Sequence, residues 1–130
     1  MLKFHHLGCL VDSIDDAVEN YKGLFSVDNV SEKIYISTQG VYVCFVEIGD
    51  NTYIELVEPV GKDSIVLSFK KNGETYYHAG YLVQDIDKTI VQLLEKQYKL
   101  LNVFHSEAFG MKRCAFLYSP DLLLIELIEE

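Results

Sequence analysis

The chain has 130 residues, 49% hydrophobic and 24% charged, with a formal net charge of -9 and a sequence pI near 4.8. That length suits one domain with one core, not two independent ones, and the acidic balance excludes nucleic acid as a partner, because phosphate binding needs a basic face that releases counterions. No apolar run approaches the roughly 20 residues needed to cross a bilayer, and the start MLKFHH lacks a signal peptide's basic end and apolar core, so no membrane partner and a cytosolic location are expected.

Residues Phe4 to Val11 read as a strand, followed by Ser13 as N-cap of a helix whose apolar positions Ile14, Ala17, Val18, Tyr21 and Phe25 recur at helical spacing. Gly23 and Ser26 are expected to end that helix. Three β-rich runs follow, Glu32 to Ser37, Val41 to Ile48 and Thr52 to Val57, with Gly40 and the Gly49-Asp50-Asn51 triplet as turn signals. The segment Pro59 to Thr75 carries a short helical pattern around Ile65 to Phe69 and too many apolar residues for a free tether. The order then starts again: a strand at Tyr77 to Val83, a helix capped near Asp85 with Ile86, Ile90, Leu93 and Leu94 on one face, and strands near Leu100 to His105, Lys112 to Tyr118 and Leu122 to Ile128. Between two of these, His105 to Met111 combines small residues with a glycine and no firm strand pattern, which predicts a mobile flap.

The second half repeats the first. HLGCLVDSID from His6 is answered by HAGYLVQDID from His78, a constant offset of 72 (78 minus 6). YIELVEP from Tyr53 is answered by LIELIEE from Leu124, and VCFV from Val43 by CAFL from Cys114, both at 71 (124 minus 53, 114 minus 43). One inserted or deleted residue reconciles the offsets. The chain is therefore α+β, two tandem βαβββ modules of roughly 60 residues, residues 1–58 and 76–130, joined by a structured linker over 59–75.

Alternation along a strand places His6 with Gly8 and Leu10, and His78 with Gly80 and Leu82. A glycine two residues from each imidazole removes bulk beside it. Glu55 and Glu126 each sit in a strand between isoleucine and leucine, where a carboxylate is costly unless paired or bound to a cation. Any one of these residues alone reads as ordinary core or edge; Glu58 and Glu129 read as solvent-facing members of alternating strands. One His and one Glu at equivalent places in both halves are different, because a pseudo-twofold packing would gather two imidazoles and two carboxylates. Such a set suits a divalent Zn, Co, Ni, Mn or Fe ion, and the lack of thiolate argues against a closed structural zinc site. Cys9, Cys44 and Cys114 are widely spaced in apolar runs, form no CxxC pair, and read as small buried hydrophobes.

These motifs resemble the vicinal oxygen chelate (glyoxalase/bleomycin resistance/dioxygenase) superfamily over nearly the whole chain, and within it the methylmalonyl-CoA epimerase family is most similar. The residues carrying the likeness are HLG with its acidic helix start, QGV at Gln39 to Val41, IELVEP at Ile54 to Pro59, DSIVLSFKKNG at Asp63 to Gly73, HAG at His78 to Gly80, AFLYSP at Ala115 to Pro120, and the closing IELIE. The resemblance implies a glyoxalase-like fold, an open-sided barrel around a metal site, with His6, Glu55, His78 and Glu126 as ligands of one divalent metal ion. It implies an isomerase or lyase that stabilises an enolate, with Glu126 or Glu55 as base, and a homodimer that covers apolar edge strands. His5, on the opposite face from His6, is not expected in the site.

The sequence departs from the epimerase pattern where Thr38 of TQGV stands in place of an expected catalytic glutamate, since a hydroxyl is no general base near neutral pH without help. Three readings follow: an enolising enzyme of a CoA thioester or of a glutathione hemithioacetal (glyoxalase I type), a true epimerase in which Glu47 or His105 replaces the absent base, and a non-catalytic small-molecule binding protein of the resistance type. Lys70, Lys71, Lys112 and Arg113 are candidates to meet a ligand's phosphates or carboxylate. Tyr35, Tyr42, Phe45, Tyr53, Phe104, Phe109 and Phe116 are candidates to line a cavity.

Overall fold

The computed structural model describes residues 1–24 and 29–130 and divides into two compact units, His6–Tyr77 and Met1–His5 with His78–Glu130. Phe25 and Ser26, proposed for the end of the first helix, lie outside the described residues.

The first unit contains most of β1 (Lys3–Leu10), then α1 (Ile14–Leu24), β2 (Ile34–Ile36), β3 (Val41–Gly49), β4 (Thr52–Pro59) and α2 (Leu67–Lys71). Its strands run in the order β2-β3-β4-β1, antiparallel except for the parallel pair of β1 and β4. Ser13 caps α1, its Oγ accepting from the Asp16 N–H at 3.2 Å. The helix lays Ile14, Ala17, Val18 and Tyr21 on Cys44, Val46, Ile54 and Leu56 of the sheet. Ile54 and Leu56 therefore point to the helix side, and Tyr53, Glu55 and Val57 to the other face.

Glu58 follows the helix-side alternation, and this corrects its reading as a solvent-facing residue: its Oε1 accepts from the Ile14 N–H at 2.8 Å, giving the first turn of α1 an acceptor for an N–H that has none within the helix. The segment Pro59 to Thr75 packs on the turn before β3. Ser64 Oγ donates to the Gln39 carbonyl and the Ile65 N–H reaches the same oxygen. Gly40 holds φ +63°, and a Cβ there would come within 3.3 Å of Ser64 Cα. The expected helical pattern in this segment starts later, at Leu67, with Phe69 packed on Tyr77.

The second unit repeats the plan with β5 (Tyr76–Val83), α3 (Ile86–Glu95), β6 (Lys99–Ser106), β7 (Lys112–Tyr118) and β8 (Leu124–Glu129) in the order β5-β8-β7-β6. Asp85 caps α3 through Lys88 N–H, and Ile86, Ile90 and Leu93 pack on Ala115, Leu117, Ile125 and Leu127. Glu129 matches Glu58, its Oε2 accepting from the Ile86 N–H at 3.1 Å, so it too is a helix-end acceptor.

One expectation changes here, and the segment expected as a flap gains a definite local geometry. The last strand begins at Leu124, because Leu122 adopts φ +64° in a turn closed by Ser119. The segment His105 to Met111 is a hydrogen-bonded turn: β6 continues to Ser106, and a short 3-10 helix spans Glu107–Phe109. Ser106 Oγ accepts from Ala108 N–H, and Ser106 O accepts from Met111 N–H.

Candidate metal centre

Each unit holds one buried His/Glu pair. In the first, β1 and β4 run parallel with His6 opposite Tyr53 and Gly8 opposite Glu55. The His6 and Glu55 side chains both lie on the face away from α1, and His6 Nε2 is 3.6 Å from Glu55 Oε1. In the second, Gly80 stands opposite Glu126, and His78 Nε2 is 3.4 Å from Glu126 Oε1. All four residues are buried, His6 at 0% exposure and the others at 5% or less. A glycine sits directly beside each glutamate, so nothing beyond backbone occupies the neighbouring position on that face.

The spacing within each pair fits two ligands of one ion. With metal–donor distances of about 2.1 Å, cis ligands lie about 3.0 Å apart in an octahedron and about 3.4 Å apart in a tetrahedron. Both observed separations exceed the 2.7–3.2 Å of a good direct N–H···O bond. Each pair offers one imidazole and one carboxylate, both buried, donor types that suit a divalent ion.

Each pair has an aromatic wall that the sequence reading left in an undivided group of cavity candidates. Phe45 faces Glu55 across β3 and β4 and meets the His6 ring edge-on at 5.6 Å. Phe116 faces Glu126 across β7 and β8 and meets the His78 ring edge-on at 5.4 Å. The signal was in the sequence, since VCFV and CAFL put these phenylalanines at the same offset of 71 (116 minus 45). Phe104 stacks on Phe116 at 5.5 Å. Tyr35 and Tyr42 pack on each other with both rings well exposed, and Phe109 packs against His5.

Other candidates divide by strand face. His105 lies opposite Arg113 on the helix side of the second sheet, and its Nδ1 is 2.9 Å from the Met111 carbonyl, so it does not share the Glu126 face. Arg113 is no phosphate contact either, because Asp87 holds it bidentately at 3.0 and 3.2 Å and Glu129 holds it at 3.1 and 3.2 Å. These partners raise the Arg113 guanidinium further above its ordinary range, and Arg113, together with the Ile86 N–H, lowers the Glu129 carboxyl. Lys70 pairs with Asp12. Glu47 lies opposite Tyr53 on the Glu55 face, and its hydrogen bond raises the Tyr53 hydroxyl above the usual phenol range. The three cysteines are buried and free of disulfides, as expected; burial, with Glu55 adding to it, pushes the Cys9 thiol up to about 11, which removes it as a thiolate nucleophile at neutral pH.

Comparison with known proteins bears on the fold and the family. The chain is 29% identical over 129 residues to the mitochondrial methylmalonyl-CoA epimerase of Bos taurus, covering 96% of this chain and 73% of that protein. A variant of the Streptomyces coelicolor methylmalonyl-CoA epimerase in complex with 2-nitronate-propionyl-CoA superposes with a TM-score of 0.85 at 25% identity, covering 100% of this chain and 99% of that one. A hypothetical protein from Bacillus halodurans C-125 superposes with a TM-score of 0.82 at 28% identity, covering 99% and 94%. These likenesses carry the glyoxalase-like α+β fold across the whole length. Residues 5–129 match the sequence model of the Glyoxalase/Bleomycin resistance protein/Dioxygenase superfamily, and the chain belongs to that family.

Proposed function

We propose that this protein is a metal-dependent enzyme of the methylmalonyl-CoA epimerase kind, acting on an enolisable CoA thioester, with His6, Glu55, His78 and Glu126 sharing one divalent ion. The observation that carries the reading is the pair of buried, duplicated His/Glu half-sites, each spaced as two ligands of a single ion. The likeness to epimerases, one of them in complex with a CoA analogue, supports the choice of substrate class. When bound, the ion supplies positive charge that stabilises the oxyanion of an enolate, making the proton beside a thioester carbonyl removable near neutral pH.

The chain's own residues supply the rest. His6 and His78 would offer the ion one imidazole nitrogen each, and Phe45 and Phe116 meet their rings edge-on. Gly8 and Gly80, the cross-strand neighbours of Glu55 and Glu126, put no side chain beside either carboxylate. Glu126, or Glu55, accepts the α-proton at a carboxylate oxygen in an apolar setting that strengthens each electrostatic contact. Among the described residues no helix is long and apolar enough to cross a membrane. We further infer a cytosolic homodimer, which light scattering at micromolar concentration would register as twice the 14.9 kDa chain mass.

The test is α-proton exchange in deuterated water, followed by NMR on metal-loaded protein, with methylmalonyl-CoA and, separately, the glutathione hemithioacetal of methylglyoxal. Washout from the CoA ester supports the epimerase reading. Lactoylglutathione formation instead would move the reaction to the glyoxalase I type, and silence on both substrates would overturn the enzymatic reading.

A further inference from the structure

The two modules depart from their repeat at the outer strand. Each follows the order strand, helix, three strands, so β6 holds in the second module the place of β2 in the first. β2 has three residues and β6 has eight, and the strand order of the second unit ends at β6, with no strand paired beyond it among the described residues. A long outer strand keeps a row of backbone N–H and C=O groups open to another strand.

Most of the devices that blunt such an edge are missing. β6 reads KLLNVFHS, without proline, and Lys99 and His105 are its only ionisable side chains. Leu101 and Val103 are 47% and 49% exposed. A register irregularity between Leu100 and Asn102 disturbs only the start of the strand, and residues 102–106 follow β7 in step.

The charge pattern says what fits there. The chain carries a net charge of -9, so two copies repel at long range and meet most readily on a face without acidic groups. Lys99 opens β6, and Glu107 directly follows its last residue, Ser106. An antiparallel copy of the strand therefore brings the basic start of each β6 beside the acidic end of the other, twice over, with uncharged residues 100–104 between.

We propose that β6 is the contact surface for a second copy of this chain, paired antiparallel about a twofold axis at Val103. The assignment rests on the homodimer reading above and gives that dimer its interface. Residues directly opposed in an antiparallel pair share a sheet face. Val103 then faces the partner's Val103, each covering the other's exposed side chain, and Asn102 faces the partner's Phe104. Twice 103 is 206, which also sets Lys99 beside the partner's Glu107 (99 plus 107), to within the one residue of the irregularity. Such a contact is isologous, occupies both free edges and stops at two chains.

Sedimentation equilibrium at micromolar concentration tests the contact, and the wild-type protein should give twice the 14.9 kDa chain mass. V103K sets like charges opposite each other on the axis and should raise the dimer dissociation constant about 10-fold or more, with Tm within about 2 °C of wild type. The charge swap decides the matter independently of V103K. K99E and E107K should each weaken the dimer about 3- to 10-fold, and K99E/E107K together should return to within about 3-fold of wild type, because reversal of both partners restores the pair. A V103K dimer as tight as wild type, or a double variant no tighter than either single one, would overturn the β6 assignment and leave the homodimer reading in place. A wild-type chain that stays at 14.9 kDa would overturn the homodimer reading and this contact with it. Growth beyond two chains would overturn the closed twofold pairing.

Discussion

Phe116 offers a quantitative test of how the second half-site is built. It is 4% exposed, stacks on Phe104 with centroids 5.5 Å apart, and meets the His78 ring edge-on at 5.4 Å. Substitution F116L keeps an apolar side chain of similar bulk and removes both ring contacts. At about 0.5–1.5 kcal/mol for each aromatic pair, the expected loss is about 1–3 kcal/mol. Unfolding entropy of about 2.1 cal/mol/K per residue gives about 0.27 kcal/mol/K for this chain length, so Tm should fall by about 4–11 °C. The same variant leaves His78 without its aromatic wall and should weaken Co(II) binding about 10- to 100-fold, the range seen when a ligand's supporting partner is removed. F104L removes only the stacked pair, so its Tm should fall by about 2–6 °C with Co(II) affinity within about 3-fold of wild type. Thermal denaturation and Co(II) absorption titration read the two quantities separately. If F104L weakened the metal as much as F116L, or F116L left Tm within about 1 °C, the assignment of Phe116 as the wall of His78 would be wrong.

Two further predictions concern stability. Arg113 and the Ile86 N–H lower the Glu129 carboxyl, so Glu129 adds stability that is present above its unfolded-state value of about 4.3 and is lost as pH falls through the lower folded-state value. R113Q should therefore move the acid unfolding midpoint to higher pH, read by circular dichroism, and an unchanged midpoint would deny the linkage. G40A forces a Cβ into a left-handed conformation and toward Ser64 Cα at 3.3 Å, and should cost about 2 kcal/mol, about 7 °C in Tm. A Tm equal to wild type would mean that the turn and the Pro59 to Thr75 segment give way without strain.

Element order was legible because each helix carries its apolar residues at helical spacing behind a capping Ser13 or Asp85, and because the second module repeats the first. The same repeat made the four His and Glu positions visible, since neither pair would have been singled out alone. Details that depend on strand register were hidden. Glu58 and Glu129 looked solvent-facing, because nothing in a strand sequence says that a helix N-terminus lies over its last residue. The face of Glu47 could not be read from VYVCFVEI, which is apolar on both sides of the strand; the cross-strand partner Tyr53 decides it. Arg113 read as a ligand contact until Asp87 and Glu129, far away in sequence, were found on it. Leu122 read as strand because leucine fits a pleat, and only its positive φ reveals the turn.

The central claim is that the two His/Glu pairs serve one ion. Metal stoichiometry by Co(II) titration and elemental analysis on wild type, His6→Ala and His78→Ala tests it most directly. The account predicts one ion per wild-type chain and loss of that ion in either variant, because each substitution removes a ligand of the same site. Two ions per chain, or one variant that binds Co(II) with wild-type affinity, would contradict a shared centre.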